Sequence, residues 1–321
     1  MTTTPADTTR PSPSHRLAAR PPDKRLMALR RFAMSITAFN VIGHLVLGFE
    51  QSPITPITTV LVAYAVDLLL ETLDARAHGR TPGYAGGWLK MLNFLLPSHI
   101  GGLAVAMLLY GNTSLWPYIF AVTAGISTKY VLRLRVRGRK RHFLNPSNAG
   151  IALTLVLFPW VGIAPPYHFT NEPTGAIDWI LPLAILGAGT MINAKLTGKL
   201  PLILGWAGGF AAQAVLRWLI FDHALLAALL PMTGLAFVIF TNYMITDPGS
   251  TPQGRRNQVL FGLATAFTYG VLVLNGVVFG FFFALVIVCI LRGAVLLAAE
   301  LRSAPAGRAT GRASLAGVDG R

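Results

Sequence analysis

The chain has 321 residues, of which 53% are hydrophobic and only 12% charged, about half the charged share of a soluble protein. A soluble fold of this size cannot bury so much apolar surface, so the composition points to lipid as the solvent. The formal net charge of +15 does not indicate nucleic-acid binding, because the cations sit in the terminal segments and in short gaps between apolar runs. The single cysteine, Cys289, excludes a disulfide within the chain and any all-cysteine metal site.

Residues 1–30, rich in Thr, Pro, Ser and Arg, predict a disordered basic tail without a cleavable leader, and residues 300–321 predict a second tail. Between them lies a predicted transmembrane domain, 31–299. A spanning helix needs roughly 20 mainly apolar residues. Ten runs meet this expectation, near 32–49, 54–73, 91–110, 115–132, 148–164, 177–194, 200–220, 224–245, 258–274 and 277–298. The expected fold class is therefore all-α, a polytopic integral membrane protein of about ten transmembrane helices. With the N-terminus inside, the inner gaps carry Arg76, Arg80 and Lys90, the basic run from Arg133 to Arg141, Lys195, Lys199, Arg255 and Arg256. The outer gaps carry Glu50, Glu172, Asp178 and Asp222 and no Lys or Arg. Both termini are thus expected on the cytoplasmic side of a bacterial plasma membrane. Trp116, Trp160, Trp179 and Trp218 fall near the outer boundary, as an aromatic belt would.

Several spans contain polar groups. Asp67 and Glu71 lie four apart on the second helix and share a face. His44, His99 and Lys129 interrupt other apolar runs. Ionisable groups at membrane depth are costly and mark ion or proton paths, so Asp67 and His99 are the expected ion path. The plainer reading of Glu71 and Lys129, close to the inner boundary, is pairing or snorkelling. The clusters 96–102 (with Pro97) and 205–209 (with three glycines) predict either broken helices around a cavity or close helix packing.

Two loop motifs are sharper. His142-Phe143-Leu144-Asn145-Pro146-Ser147-Asn148-Ala149-Gly150 opens the fifth span, and Thr246-Asp247-Pro248-Gly249-Ser250-Thr251-Pro252 follows the eighth. Each joins an Asn or Asp to a Pro and then to hydroxyl residues, which is helix-start and turn chemistry. Both are expected on the inner face, as corresponding points of two comparable halves.

At these residues the chain resembles the membrane family that includes the RnfD component of the Rnf electron-transport complex and the NqrB component of the sodium-pumping NADH:quinone reductase. The likeness rests on Phe143-Leu144-Asn145-Pro146 with Gly150, on Met244-Ile245-Thr246-Asp247-Pro248 and on the span count, over roughly residues 30–298. Within that family it is most similar to the standalone branch called UnbU, found with enediyne biosynthesis genes. The resemblance implies a ten-helix redox protein that binds flavin mononucleotide or quinone and works with a redox partner, another membrane component or a soluble protein, at the cytoplasmic face. In that family a threonine closing a Ser/Gly-Ala-Thr motif carries the flavin. Here the stretch reads Thr174-Gly175-Ala176-Ile177, so Ile177 stands where the acceptor hydroxyl belongs and Thr174 is out of register. Non-covalent FMN or quinone is therefore the expected cofactor. Candidate binding residues are Asn145, Ser147, Thr174, Gly175, Thr246, Asp247, Ser250 and Thr251, whose turns could offer hydroxyls and backbone N–H groups to a phosphate.

A transporter or exporter on the same scaffold, without electron transfer, is the alternative, and a membrane protein that docks a partner through the basic run is a third. No metal site is predicted; His168 and His223 stand alone on outer loops. No P-loop, hydrolytic triad or nicotinamide-binding fingerprint is present.

Overall fold

The computed structural model describes residues 23–46, 49, 51–136, 139–164 and 176–303. Thr174, Gly175, Glu172, His168 and most of the two tails lie outside the described residues. Each of the ten apolar runs coincides with helical structure. Helix α1 (Lys24–Leu45) begins inside the expected tail, where the Asp23 carboxylate accepts the Arg25 N–H at 2.9 Å and caps it. There follow α2 (Ile54–Ala77), α3 (Trp88–Leu108), α4 (Trp116–Val131), α5 (Pro146–Leu157), α6 (Ala176–Ile192) and α7 (Leu200–Phe221). A jointed segment comes next: α8 (Leu225–Leu229), a 3-10 turn with Pro231, α9 (Leu235–Ile239) and a π-turn (Phe240–Met244). Helices α10 (Arg255–Leu274) and α11 (Gly280–Ser303) end the described chain.

Five of these, α2, α3, α7, α10 and α11, are long and apolar enough to cross a membrane. The jointed segment makes a sixth if its two arms, bent by 65°, count as one span. The expectation of ten full spans is thereby narrowed. Helix α5 has 12 residues and is only about 18 Å long, against a hydrocarbon core of about 30 Å. Helix α1 opens with four cations, Lys24, Arg25, Arg30 and Arg31. The long helices turn apolar side chains outward: Leu61, Leu69, Leu204, Leu219, Phe267 and Leu301 are all more than half exposed. So broad an apolar surface fits lipid and not water.

Two short sheets sit at opposite ends. β1 (Leu109–Tyr110) and β4 (Gly162–Ile163) pair antiparallel, tying the tail of α5 to the end of α3. β2 (Arg133–Val136) and β3 (Arg139–His142) form a hairpin, with Arg133 opposite His142 and Arg135 opposite Lys140. The basic run is thus a hairpin and not a plain loop; the Arg-Leu-Arg-Val alternation is the period-two signal for it.

The broken-helix expectation fails at both predicted clusters. Helix α3 runs through Pro97 without ending, and α7 is continuous through its three glycines. Gly205 instead admits the α10 backbone: a Cβ there would lie 2.7 Å from the Val259 carbonyl oxygen. Reciprocally, a Cβ on Gly262 would lie 2.5 Å from the Trp206 nitrogen. This is close small-residue packing. The irregular backbone lies elsewhere, in two π-turns (Asn193–Thr197 and Phe240–Met244) that face one another. Asn193 Nδ2 donates to the carbonyl oxygens of Gly189 (2.9 Å) and Asn242 (2.8 Å), satisfying groups that the widened turns release.

One continuous core runs from Ile36 on α1 to Cys289 on α11. A chain of contacts gathers the loops after α2, α4 and α9 and the start of α7 at a single end. Arg133 bonds Asp74, His142 faces Asp247, and Lys199 bonds the Pro252 carbonyl. These are the cation-bearing loops that charge alone assigned to one side.

Candidate functional site

Two polar clusters stand out. The first is built on α2, where Asp67, Glu71 and Asp74 occupy one face at steps of four and three. Asp67 is completely buried near the middle of the helix. Its carboxylate accepts from Lys129 Nζ at 2.8 and 2.9 Å and from the hydroxyls of Tyr130 and Ser98. Lys129 Nζ also lies 5.5 and 5.4 Å from the ring centres of Phe94 and Tyr130, a cation–π setting that holds the ammonium in place. Glu71, also buried, pairs with Arg80 at 2.6 Å and accepts the Gly83 N–H at 2.6 Å. Arg80 continues to Asp74, which Arg133 approaches at 3.2 Å. Three carboxylates thus meet three cations in a ladder that begins fully buried and ends at the loop-bearing end. Pairing of both Glu71 and Lys129 agrees with the plainer reading, with Lys129 turned inward to Asp67.

A cavity of about 40 Å³ adjoins this pair, lined by Ser98 and Lys129 at one side and Pro146 and Ser147 at the other. That is room for more than one water molecule, with polar partners on two sides. It lies between α3, α4 and α5, where Gly101 has nothing within 4 Å of a Cβ position.

His99, the other expected path residue, does not contact Asp67. Its Nε2 meets Thr37 Oγ1 and its Nδ1 meets the Tyr64 hydroxyl, both at 2.8 Å. Thr37 gives its own proton to the Ala33 carbonyl at 2.7 Å. Its oxygen must therefore accept from Nε2–H, which leaves Nδ1 to accept from Tyr64. His99 is a neutral clamp across α1, α2 and α3.

The second cluster joins the two motifs. Asn145 caps α5 by accepting the Asn148 N–H at 3.0 Å, and its Nδ2 donates to the Met244 carbonyl at 3.0 Å, 99 residues away. His142 Nε2 stands 3.7 Å from Asp247, over Gly249. Asp247 accepts from the Gly249 and Ser250 N–H groups at 3.2 and 3.0 Å and from the Ser250 hydroxyl at 2.8 Å. Lys199 and Arg292 each donate at 2.7 Å to carbonyls of this turn, those of Pro252 and Ser250. Sequence reasoning missed these two clamps because a lone cation carries no mark of its acceptor. Burial alone would raise the Asp247 carboxyl, but His142, the Ser250 hydroxyl and the Gly249 N–H outweigh it and hold it at about 2. Burial pushes the Lys199 ammonium down to about 8, partly offset by Asp247.

The described cofactor candidates do meet. Ser147 donates to Asn145, Thr246 to the Asn242 carbonyl, Ser250 to Asp247 and Thr251 to the Asp247 carbonyl. Each of these hydroxyls gives its proton to an acceptor in or beside the turns. Ile177 offers no hydroxyl to esterify. The turns act as a lock between distant parts of the chain. Among the described residues no group of His, Cys, Asp or Glu could hold a metal ion.

Two predictions arise from this lock. Asn145→Ala removes both the cap and the bridge and should lower stability by about 2 kcal/mol, whereas Asn145→Ser keeps the cap and loses less; thermal unfolding of the two variants checks this. Because the folded Asp247 carboxyl sits at about 2, below the ordinary value near 3.9, its stabilisation is full above that value. It is lost as pH falls through 4 towards 2. Acid unfolding of Asp247→Asn should therefore be flatter over this window than that of the unaltered chain.

No protein-family model matches the chain, and no curated protein matches it.

Proposed function

We propose that the chain is a membrane transport protein in which Asp67 and Lys129 exchange partners as a proton or small cation moves between the water-sized cavity and the charge ladder. One observation carries this reading: a fully buried carboxylate on a spanning helix, ion-paired to Lys129, which with Ser98 and Ser147 lines an otherwise apolar cavity. A proton arriving through the cavity would neutralise Asp67 and release Lys129. The ammonium, a fifth exposed, could then turn towards Ser147. The carboxylates of Glu71 and Asp74 would take the charge on towards the loop-bearing end, with Arg80 and Arg133 as their fixed counter-ions. In this reading the ten helical segments lie in the bacterial plasma membrane in two comparable halves, with the cationic loops and both termini cytoplasmic. The three shorter segments, α4, α5 and α6, are completed by neighbours, as half-length helices are in transporters. Reconstitution into vesicles holding a pH-sensitive dye tests the reading. An imposed gradient should dissipate faster with the protein than without it, and flux unaltered by Asp67→Asn would overturn the proposal.

A second reading, a redox protein of the Rnf or NADH:quinone reductase type with a soluble partner at the basic hairpin, is favoured by the bonding of the two motifs that carry the resemblance. Its test is the visible spectrum of the purified chain. Flavin or quinone absorbance that survives gel filtration supports it, and a colourless protein that takes up neither sinks it.

A further inference from the structure

Helix α7 buries Gln213, Ala214 and Arg217 on the face that packs along α10. Arg217 is 9% exposed. The one hydrogen bond of its side chain among the described residues is long, from Nη1 to Gln213 Oε1 at 3.4 Å, and its Nε is buried without an acceptor. Among the residues whose side chains are described, no carboxylate forms an ion pair with it. A buried cation without a counter-charge is costly to keep, and truncation or pairing is the ordinary way out. Charge segregation does not explain it either: Arg217 lies at the end of α7 opposite Lys199, where the loops carry no Lys or Arg.

The surroundings favour one kind of ligand. Gln213 commits its Nε2 to the Phe210 carbonyl at 2.9 Å, which turns its oxygen to the guanidinium. Tyr269 on α10 stacks on Phe210 with ring centres 4.9 Å apart, and its neighbour Gly270 lies against the Gln213 side chain. Phe281 stands 5.2 Å from Tyr269 and extends this wall. A planar fork of donors in apolar surroundings suits a carboxylate on a small apolar body, since guanidinium binds carboxylate bidentately.

We propose that Arg217, with Gln213 and Tyr269, is a binding site for a small organic carboxylate at the end of the bundle away from the charge ladder. The site is independent of proton or cation movement at Asp67 and stands or falls without it.

Thermal unfolding of the full chain in phosphatidylcholine nanodiscs tests it, with benzoate as probe and benzamide as its neutral counterpart. Benzoate at millimolar concentration should raise Tm by about 2–4 °C and benzamide should not. Arg217→Gln should abolish the shift while unfolding no lower than the unaltered chain does without benzoate, because it removes an unpaired charge. Three results would overturn the proposal. One is no shift with benzoate, acetate or inorganic phosphate. Another is a shift that anionic lipid alone produces. The third is a loss of stability in Arg217→Gln that Glu172→Gln reproduces, which would make Glu172 the missing anion.

Discussion

Asp67→Asn is expected to lower stability by about 3–5 kcal/mol, the cost of leaving a buried cation without its partner. Asp67 lies at the centre of α2 with no exposed surface, and it supplies the acceptors for Lys129 Nζ, Tyr130 and Ser98. An amide keeps the shape and one acceptor oxygen but presents two N–H groups to donors. The double variant Asp67→Asn with Lys129→Met removes both charges and should recover most of the loss, since a paired set of charges replaced by apolar groups is often neutral. Calorimetry or chemical unfolding of the four members of the cycle measures the coupling. The double variant also separates structure from function: it should fold and yet carry no proton-dependent flux. Recovery of flux together with stability would leave the pair a structural tie only.

Gly150→Ala should be nearly as damaging, by about 3 kcal/mol, through overpacking and not charge. A Cβ on Gly150 would overlap the Ala121 carbonyl oxygen, and one on Gly125 would overlap that of Pro146. Helices α4 and α5 therefore touch backbone to backbone, and neither carbonyl can move without breaking its own helix. Displacing α4 would also draw Lys129, one turn beyond Gly125, away from Asp67. Gly208→Ala is the control: nothing lies within 4 Å of a Cβ there. It should gain about 0.5–1 kcal/mol from helix propensity alone. Thermal unfolding of both variants in the same detergent decides the matter; equal effects would refute the close-contact explanation.

Much of the architecture was legible because it is local. A run of apolar residues announces a helix whatever it packs against, and Asn145-Pro146 announces a helix start because the cap and the first turn are three residues apart. The gathering of cationic loops at one end also follows from strict alternation of helices. Of the ten expected spans, five helices, or six with the jointed segment, are long and apolar enough to cross a membrane among the described residues. Apolarity persists through 148–164, but Pro159 and Gly162 follow α5, and the chain there leaves the helix for a strand pairing with Leu109–Tyr110. Glycine and proline clusters were ambiguous for a related reason. Gly205 and Gly209 read alike as a break or as a contact until α10 is seen against them.

By itself the sequence determined a helical protein suited to lipid, the caps and turns, and a costly carboxylate at Asp67, since solvent preference, capping and the cost of burial are properties of single residues and near neighbours. Only the tertiary structure decided partners. Lys129 meets Asp67 across 62 residues, Glu71 turns to Arg80, and His99 clamps three helices apart from both. The Asn145 and Asp247 turns commit their donors to one another and to their own backbone. Hydrogen bonds and ion pairs depend on distance in space, and many pairings satisfy the same list of charges until packing selects one.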